Sequence, residues 1–352
     1  MFLFDLGIDM GSTKTTIYVE GKGVVLNEPS VVAIDSETEK IIAVGRRARR
    51  MVGRNPDSIT VVYPIKNGVV SNFTLAEHMI RTFVQKVCKN SMVKPRAVVA
   101  IPSEITNVDR ITISDVIMSA GVRKACLVEK PLLAAYGAGV EFGAKRGSII
   151  IDIGAGTTDA AIVTYGGLAL NASLKIGGET IDEEIIKYIR TKYNLNIGVR
   201  TAENIKKDIG CAVRPFTEVT MSVKGIDYAT GLPMVIEVSN NEIYDVILPV
   251  LKDISGVLSI ILEQTPPELI ADISIEGILI CGGVANLTGI ADYFTQTLRI
   301  DASVVTEPEF CAARGTGPVM RHMRELKAFG YQYRSIEKAD VPGVDDSEFQ
   351  DV

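Results

Sequence analysis

Apolar residues follow two alternating patterns along the first half of this chain. Short runs rich in Val, Ile and Thr are typical of strands, whereas apolar residues that recur every three or four positions predict helices with one buried face. The short runs predict strands at 6–9, 16–20, 31–34 and 97–101. The longer pattern predicts helices at 74–88 and 107–120.

The second half of the chain repeats this order after residue 147. Strands are predicted at 148–152, at 159–165 and on both sides of Gly231, and helices at 179–193, 201–209 and 241–264. Such alternation of strands and helices is typical of the α/β class. The 352 residues exceed a typical single domain, so we expect two lobes, each with its own core. The repeated order predicts that the two lobes are related.

A short signature at the end of a predicted strand occurs twice. Residues 8–13 read Ile-Asp-Met-Gly-Ser-Thr, and residues 151–158 read Ile-Asp-Ile-Gly-Ala-Gly-Thr-Thr. Glycine lets the backbone turn its N–H groups towards phosphate oxygens, and hydroxyl and lysine side chains add donors. The alternative for either segment is an ordinary tight turn. The paired signature predicts two phosphate-binding hairpins, formed by Gly11, Ser12, Thr13, Lys14, Gly154, Ala155, Gly156 and Thr157.

Each hairpin carries one aspartate at the end of its first strand, Asp9 in the first and Asp152 in the second. Mg²⁺ keeps several waters in proteins and is held through one or two carboxylates together with substrate phosphate. We therefore expect Asp9 and Asp152 to face each other across a cleft and to hold Mg²⁺, partly through water.

Two other phosphate motifs are excluded by the sequence. The chain has no GxxxxGK[ST] segment, and after Gly154 the glycine or alanine that a dinucleotide fingerprint requires is replaced by Asp159. Near the end of the second half, a buried strand pattern at 277–281 runs into the pair Gly282 and Gly283. A flat ligand such as adenine could lie on this bare backbone.

Composition narrows the class of function. The formal net charge of −6 gives no general electrostatic reason to bind nucleic acid. A basic cluster at 46–54 is interpreted either as a solvated helix face or as a contact patch for an acidic partner. Five widely spaced cysteines and two histidines provide little material for disulfides, a zinc site or histidine catalysis.

The two ends of the chain also carry expectations. The start lacks the basic region and long apolar core of a signal peptide, and no apolar run approaches the roughly 20 residues that span a bilayer, so a cytoplasmic location is expected. Met1, Phe2, Leu3 and Phe4 would give a weak contact with the inner face of the membrane, or alternatively an edge-strand extension. The stretch 331–352 is predicted to be a flexible acidic tail.

Several segments of the chain carry a family resemblance. The two hairpins, the connecting segment 129–137 and the late glycine pair resemble the actin, sugar-kinase and heat-shock-chaperone ATPase fold. More narrowly, residues 21–35, 66–69 and 192–198 resemble the bacterial actins of the MreB type. The likeness runs from residue 6 to about residue 317.

The resemblance implies an actin-like ATPase fold, with two related lobes of two subdomains each around a central nucleotide cleft. It places subdomain IA at 1–32, 67–140 and 306–330, IB at 33–66, IIA at 141–180 and 240–305, and IIB at 181–239. ATP or ADP with Mg²⁺ would occupy the cleft. The residues on the adenosine side would be Glu203, Asn204, Ile205, Lys206, Gly282, Gly283, Val284 and Ala285.

The same resemblance implies that subunits stack head to tail into filaments that serve cell shape or morphogenesis. Such stacking is a heterologous contact that need not close into a ring. The expected partners are further copies of this chain and paralogous actin-like subunits.

One departure from the family bears directly on catalysis. Where such proteins usually carry Asp-Glu-Pro, this chain has Glu129-Lys130-Pro131, so a lysine stands where the family has its water-orienting glutamate. A protonated lysine has no lone pair with which to accept a hydrogen bond from water, so slow hydrolysis is predicted. The alternative is that Lys130 turns to solvent and Glu129 takes over its role.

Smaller departures lie around the same chemistry. Asp159 stands where the family commonly has glutamate, and Ala155 and Val284 replace glycines. The residues expected at the reaction are therefore Lys130, Glu129, Thr157 and Asp159.

Three other classes of function make different demands on the sequence. A small-molecule kinase of this fold would need an acidic base at position 130. A peptide-binding chaperone would need a further domain after about residue 320. A scaffold that binds nucleotide without turnover differs from the slow ATPase in rate alone.

Overall fold

The computed structural model describes residues 5–89 and 93–335 and, within these ranges, contains eighteen strands, eleven α-helices and three short 3₁₀ helices. The strands of the first half are β1 Asp5–Met10, β2 Lys14–Val19, β3 Gly23–Pro29, β4 Val32–Asp35, β5 Ile41–Val44, β6 Ile59–Val62, β7 Ile65–Lys66, β8 Val69–Val70, β9 Arg96–Ile101 and β10 Lys124–Glu129. Those of the second half are β11 Ser148–Ile153, β12 Thr158–Thr164, β13 Gly167–Leu174, β14 Leu195–Asn196, β15 Thr220–Asp227, β16 Pro233–Ser239, β17 Ile278–Cys281 and β18 Ala302–Val304.

The helices follow the same division. Those of the first half are α1 Arg46–Arg49, α2 Phe73–Val87, α3 Asn107–Ser119 and α4 Lys130–Gly137. Those of the second half are α5 Gly178–Tyr193, α6 Val199–Ile209, α7 Asn240–Glu263, α8 Pro267–Glu276, α9 Ile290–Leu298, α10 Cys311–Arg321 and α11 Met323–Leu326. The helices predicted from periodicity begin and end within two residues of α2, α3, α5, α6 and α7.

Two five-stranded sheets share one topology. The first has the order β10-β9-β1-β2-β3 and the second the order β13-β12-β11-β17-β18. In each, a central strand pairs antiparallel with the strand that follows it and parallel with a later strand. The repeated hairpin signature therefore corresponds to the same position, β1-turn-β2 and β11-turn-β12, in two equivalent sheets. Two smaller three-stranded sheets, β5-β4-β6 and β14-β15-β16, complete the halves.

Local sequence explains where the helices begin. Thr106 and Asp109 form a reciprocal capping box at the start of α3, and Ser239 and Glu242 form another at the start of α7. Each box satisfies two backbone N–H groups that the first helical turn would otherwise leave unpaired. The apolar faces of these helices then pack onto the sheets, so that each half of the molecule has its own core.

The chain passes between the two large sheets at two helices, α4 and α10. Helix α4 follows β10 of the first sheet and leads to β11 of the second, while α10 follows β18 and packs back on β1, β2 and β9. The two helices touch through backbone. A Cβ atom on Gly137 would lie 1.9 Å from the carbonyl oxygen of Cys311, and one on Gly315 would lie 1.7 Å from that of Leu133. The joint between the lobes is therefore close-packed.

The first residues of the predicted tail contact the first sheet. Arg334 forms a β-bridge with Ala125 of β10, and the guanidinium of Arg96 lies 4.9 Å from the ring centre of Tyr333. Residues 331, 333 and 334 thus contact the first sheet. The remainder of that segment from residue 336, and the proposed membrane contact at 1–4, lie outside the described residues.

Candidate functional site

The two glycine hairpins adopt the same turn. The N–H of Gly11 donates to the carbonyl of Lys14 at 2.9 Å, and the N–H of Gly154 donates to the carbonyl of Thr157 at 2.8 Å. A Cβ atom on Gly11 would lie 2.8 Å from the Lys14 carbonyl oxygen, so this turn requires glycine.

The two turns also face each other. A Cβ atom on Gly156 would lie 2.6 Å from Ser12 Oγ, which places the second hairpin directly against the first. Ser12 is buried and its Oγ accepts from the N–H of Gly68 at 3.3 Å, whereas the side chain of Lys14 is exposed. Thr13 donates to the carboxylate of Glu179 at the start of α5, at 3.0 Å. The predicted phosphate-binding residues of the two halves are thus brought to one place, between the sheets.

Lys130, the first residue of α4, extends its side chain to Asp9, beside the first hairpin. Its side chain is 9% exposed, and Nζ lies 3.1 Å from Oδ1 of Asp9. Burial lowers the pKa of Lys130, but the negative charges of Asp9, Asp152 and Asp159 outweigh that influence and hold the pKa above its usual value. Lys130 is therefore a buried ammonium ion that is paired with Asp9 of the first sheet and stabilised by the charges of Asp152 and Asp159 of the second.

Burial shifts the pKa of the neighbouring carboxylates in the opposite direction, upwards. Burial raises the pKa of Asp152 to about 6, although the charge of Lys130 opposes the shift. Burial also raises the pKa of Asp159 above its usual value, although its carboxylate accepts from the N–H of Ser103 at 2.9 Å and from the Thr157 hydroxyl at 3.1 Å. The four side chains form one electrostatic unit, which we call the cleft cluster: Asp9, Lys130, Asp152 and Asp159.

Glu129 does not join the cleft cluster. Its carboxylate accepts from Arg110 Nη2 at 2.9 Å and from the hydroxyl of Tyr331 at 2.6 Å. Since Lys130 is buried and its neighbour is held elsewhere, the alternative in which Glu129 replaces a solvent-facing lysine does not fit the structure. The predicted reaction residues that remain together are Lys130, Thr157 and Asp159.

The late glycine pair borders the cleft cluster. Gly282 has φ 88°, and a Cβ atom there would lie 2.4 Å from Oδ1 of Asp152. Val284 and Lys206 meet at Gly178, where an added Cβ atom would lie 3.2 Å from each side chain. The Lys206 ammonium donates to the Gly178 carbonyl at 2.6 Å and lies 2.8 Å from Asp182 Oδ1. Lys206 therefore stabilises the second half internally as well as bordering the predicted adenosine side.

The other predicted adenosine residues have different surroundings. Asn204 is exposed, Ala285 is 3% exposed, and Gly283 has open space where a Cβ atom would stand. Ile205 is 0% exposed and packs in the core of the second half. Its assignment as a ligand-binding side chain is corrected, because a fully enclosed side chain has no surface to offer.

An ion pair between α1 and α6 joins the two halves of the molecule and has no signal in the sequence. Arg49 of α1 pairs with Glu203 of α6 at 2.5 Å and donates to the hydroxyl of Tyr63 at 2.8 Å. Arg49 belongs to the basic cluster for which the sequence offered a solvated face or an acidic partner, yet the acid that it meets lies 154 residues away in the same chain. No local signal identifies such a partner.

Asp9 and Asp152 are the residues predicted to hold Mg²⁺. Among residues 5–89 and 93–335, no group of three or more His, Cys, Asp or Glu side chains is arranged to enclose a metal ion. Asp9 and Asp152 nevertheless fit Mg²⁺ held through water and phosphate, which requires no such cage. One oxygen of Asp9 already faces the ammonium of Lys130. In the same ranges, no helix is long and apolar enough to cross a membrane.

The buried carboxylates predict how stability changes with pH. Burial raises the pKa of both Asp152 and Asp182 to about 6, above the ordinary 3.8, so the folded state takes up protons more readily than the unfolded state between these values. Lowering the pH from 7.5 to 5.5 should therefore stabilise the nucleotide-free protein and raise its thermal midpoint by about 2–4 °C.

Below about pH 4.5, lowering the pH should destabilise the folded protein instead of stabilising it. Burial alone would raise the pKa of Glu242, but hydrogen bonds from Lys192, Tyr193 and Ser239 lower it to about 2, so its contribution is lost as pH falls below 4.5. Thermal unfolding followed by circular dichroism from pH 7.5 to 3.5 measures both trends: the midpoint should rise towards pH 5.5 and fall below pH 4.5. Asp182→Asn should flatten the rise towards pH 5.5, and a midpoint that falls steadily from pH 7.5 downwards would contradict the assignment.

The sequence and the fold both resemble those of known proteins. Residues 3–328 match the family model described as MreB/Mbl protein. Among curated relatives, the cell shape-determining protein Mbl of Bacillus subtilis is 39% identical over 93% of this chain and 98% of its own length. The cell shape-determining protein MreB of Escherichia coli is 39% identical over 91% of this chain and 94% of its own.

Solved structures that resemble this chain include members of the same family. MreB5 of Spiroplasma citri bound to ADP superposes with a TM-score of 0.88 at 33% identity, covering 93% of this chain and 98% of its own. The AMPPNP-bound form superposes with a TM-score of 0.87 and the same identity, covering 94% and 99%. A MamK double helical filament has a TM-score of 0.79 at 22% identity, covering 91% and 99%, and supports the fold alone.

Proposed function

The chain belongs to the MreB/Mbl family and has the actin-like ATPase fold, and from this premise we propose that it is an ATP-binding filament protein with slow hydrolysis. Its role would be in cell shape or morphogenesis. The proposed subdomain boundaries are those given from the resemblance, and the proposed location is the cytoplasm. The observation that carries the kinetic part is the ammonium of Lys130, buried against the carboxylates of the cleft cluster.

Nucleotide binding is supported by the paired hairpins. Their glycine turns lie face to face, and the hydroxyls of Ser12, Thr13 and Thr157 stand beside them. Adjacent backbone N–H groups in such turns form concavities that suit phosphate oxygens. One structural relative of the same family, MreB5 of Spiroplasma citri, holds ADP in one structure and AMPPNP in another. ATP with Mg²⁺ at Asp9 and Asp152 is the proposed ligand, and Mg²⁺ would neutralise phosphate charge there.

Slow hydrolysis follows from the chemistry of the side chain at position 130. Phosphoryl transfer to water depends on an acceptor that orients the attacking water, and an ammonium group donates hydrogen bonds without accepting any. Asp159 accepts hydrogen bonds from Ser103 and Thr157, so part of its acceptor capacity is already used. An ammonium beside the phosphates would also stabilise the ground state of ATP, which gives affinity without rate.

Assembly can be tested together with nucleotide binding. We expect ATP to promote filaments that sediment and are visible by electron microscopy, with phosphate released much more slowly than filaments form. Gly156→Ala should weaken ATP binding and ATP-dependent sedimentation about tenfold, because the added methyl would push Ser12 and Asn67 away from the second hairpin.

The matched control is Gly198→Ala, since a Cβ atom on Gly198 meets no atom within 4 Å. It should bind ATP and sediment like the wild type. Filaments that form equally well without nucleotide, or unchanged ATP affinity in Gly156→Ala, would count against the proposed site. Phosphate release that is absent throughout would identify a nucleotide-locked scaffold instead of a slow ATPase.

A further inference from the structure

The cleft cluster contains a fixed positive charge at the place where a divalent cation would be held. Lys130 Nζ lies 3.1 Å from Asp9 Oδ1, and Asp152 and Asp159 act on it electrostatically from the second sheet. The lysine is the first residue of α4, and the residues that follow it, from Pro131 to Tyr136, are all buried. The Lys130 side chain is itself 9% exposed and is paired with Asp9, so the ammonium is held within the cluster.

We propose that Lys130 performs part of the charge-neutralising role of Mg²⁺, so that this chain holds a nucleoside triphosphate with little dependence on a divalent cation. This inference rests on the proposed nucleotide site. It concerns affinity, whereas the argument about water orientation concerns rate.

The formal charges of the cluster support the proposal. Three carboxylates and one ammonium sum to −2, whereas Lys130→Glu would give four carboxylates and −4. A triphosphate brought near four carboxylates meets strong repulsion at short range in a partly desolvated site, and a divalent cation is needed to offset it. With the lysine present, much of that repulsion is already offset before any metal binds.

The ammonium of Lys130 also reduces the affinity that Mg²⁺ can add to nucleotide binding. Mg²⁺ in nucleotide sites is held through one or two carboxylates plus phosphate. One oxygen of Asp9 faces Lys130, and the positive charge of the lysine repels a second cation at short distance. Both influences reduce the extra affinity that Mg²⁺ can add to nucleotide binding.

Binding of a fluorescent ATP analogue to the full chain tests the proposal, with the dissociation constant measured in millimolar Mg²⁺ and again in excess EDTA. We expect the wild type to lose less than about fivefold in affinity when Mg²⁺ is removed. Lys130→Glu should bind well in Mg²⁺ and lose about 100-fold or more in EDTA, and Lys130→Gln should fall between them.

Lys124→Glu is the matched control, because it makes the same change in net charge at an exposed position in the strand that precedes α4. It should show the wild-type ratio between the two buffers. Thermal unfolding without nucleotide establishes that each variant is folded, and Lys130→Gln preserves the test if Lys130→Glu does not fold.

The outcomes separate this inference from the proposed function. A wild-type protein that binds the analogue with Mg²⁺ and loses 100-fold or more in EDTA overturns the role of Lys130 alone. Equal EDTA sensitivity in the wild type and in Lys130→Gln overturns it as well. Absence of binding in both buffers overturns the proposed nucleotide site and this inference with it.

Discussion

Lys130→Glu is expected to accelerate phosphate release from ATP by about tenfold to 100-fold under conditions in which the protein polymerises. The substitution replaces a buried ammonium with a carboxylate that can accept a hydrogen bond from the attacking water. Because Lys130 lies among Asp9, Asp152 and Asp159, the new carboxylate would stand in the same space between the hairpins. Phosphate release is measured in Mg²⁺ with filament mass followed by sedimentation, so that rate is compared per assembled subunit.

Two variants make this result interpretable. Lys124→Glu controls for net charge and should leave the rate unchanged. Lys130→Gln removes the charge and supplies an amide oxygen that can accept from water, so a smaller acceleration is expected. If the wild type already releases phosphate briskly and neither substitution at position 130 changes the rate, the water-orienting function lies elsewhere, and Asp159 is the next residue to replace.

Gly315→Ala is expected to abolish or severely reduce stable folding. A Cβ atom on Gly315 would stand 1.7 Å from the carbonyl oxygen of Leu133, which belongs to the backbone of α4 and cannot rotate away. Relief requires α4 and α10 to move apart along their whole contact, at a cost of about 3 kcal/mol or more. Soluble yield and the thermal midpoint of unfolding report the effect.

Gly256→Ala provides the control for Gly315→Ala. Gly256 also lies inside a helix, α7, but a Cβ atom there meets nothing within 4 Å. Alanine favours the helix by up to about 1 kcal/mol relative to glycine, so this variant should be as stable as the wild type or slightly more so. A Gly315→Ala protein with wild-type yield and midpoint would show that the two helices are not held at backbone contact in solution.

Local sequence was enough to predict the parts of the fold that rest on local interactions. The hairpins at Gly11 and Gly154 were found because their turns require glycine, and the helices α2, α3, α5, α6 and α7 because each carries a regular apolar face. Strands such as β10 and β13, and the short helices α8, α9 and α11, were not predicted individually. Their patterns are short, and their positions depend on neighbours distant in the chain.

The residues of the candidate site could be predicted from local sequence, but their contacts with distant segments could not. Lys130 could be singled out by resemblance, but its burial beside Asp9 depends on how α4 leaves the first sheet, which no window of sequence reveals. The pairing of Glu129 with Arg110 and Tyr331 likewise joins three separate segments. The docking of residues 331–334 on β10 was missed because that stretch has no periodic apolar face, and its main contacts are single residues such as Tyr331 and Tyr333.

The path of the chain through α4 and α10 has a consequence for biosynthesis. Every strand of the second large sheet lies between residues 148 and 304, in one uninterrupted stretch, whereas the first sheet needs α10 from residues 311–321 to cover β1, β2 and β9. On the ribosome, the five strands of the first sheet are therefore synthesised first, but the helix α10 that covers the sheet is synthesised only after the second sheet. Gly7 of β1 meets Thr316 of α10 only after the whole second lobe has emerged. Until then one apolar face of the nascent first lobe stays open, and this is the interval in which chaperone capture or misassembly would act on this protein.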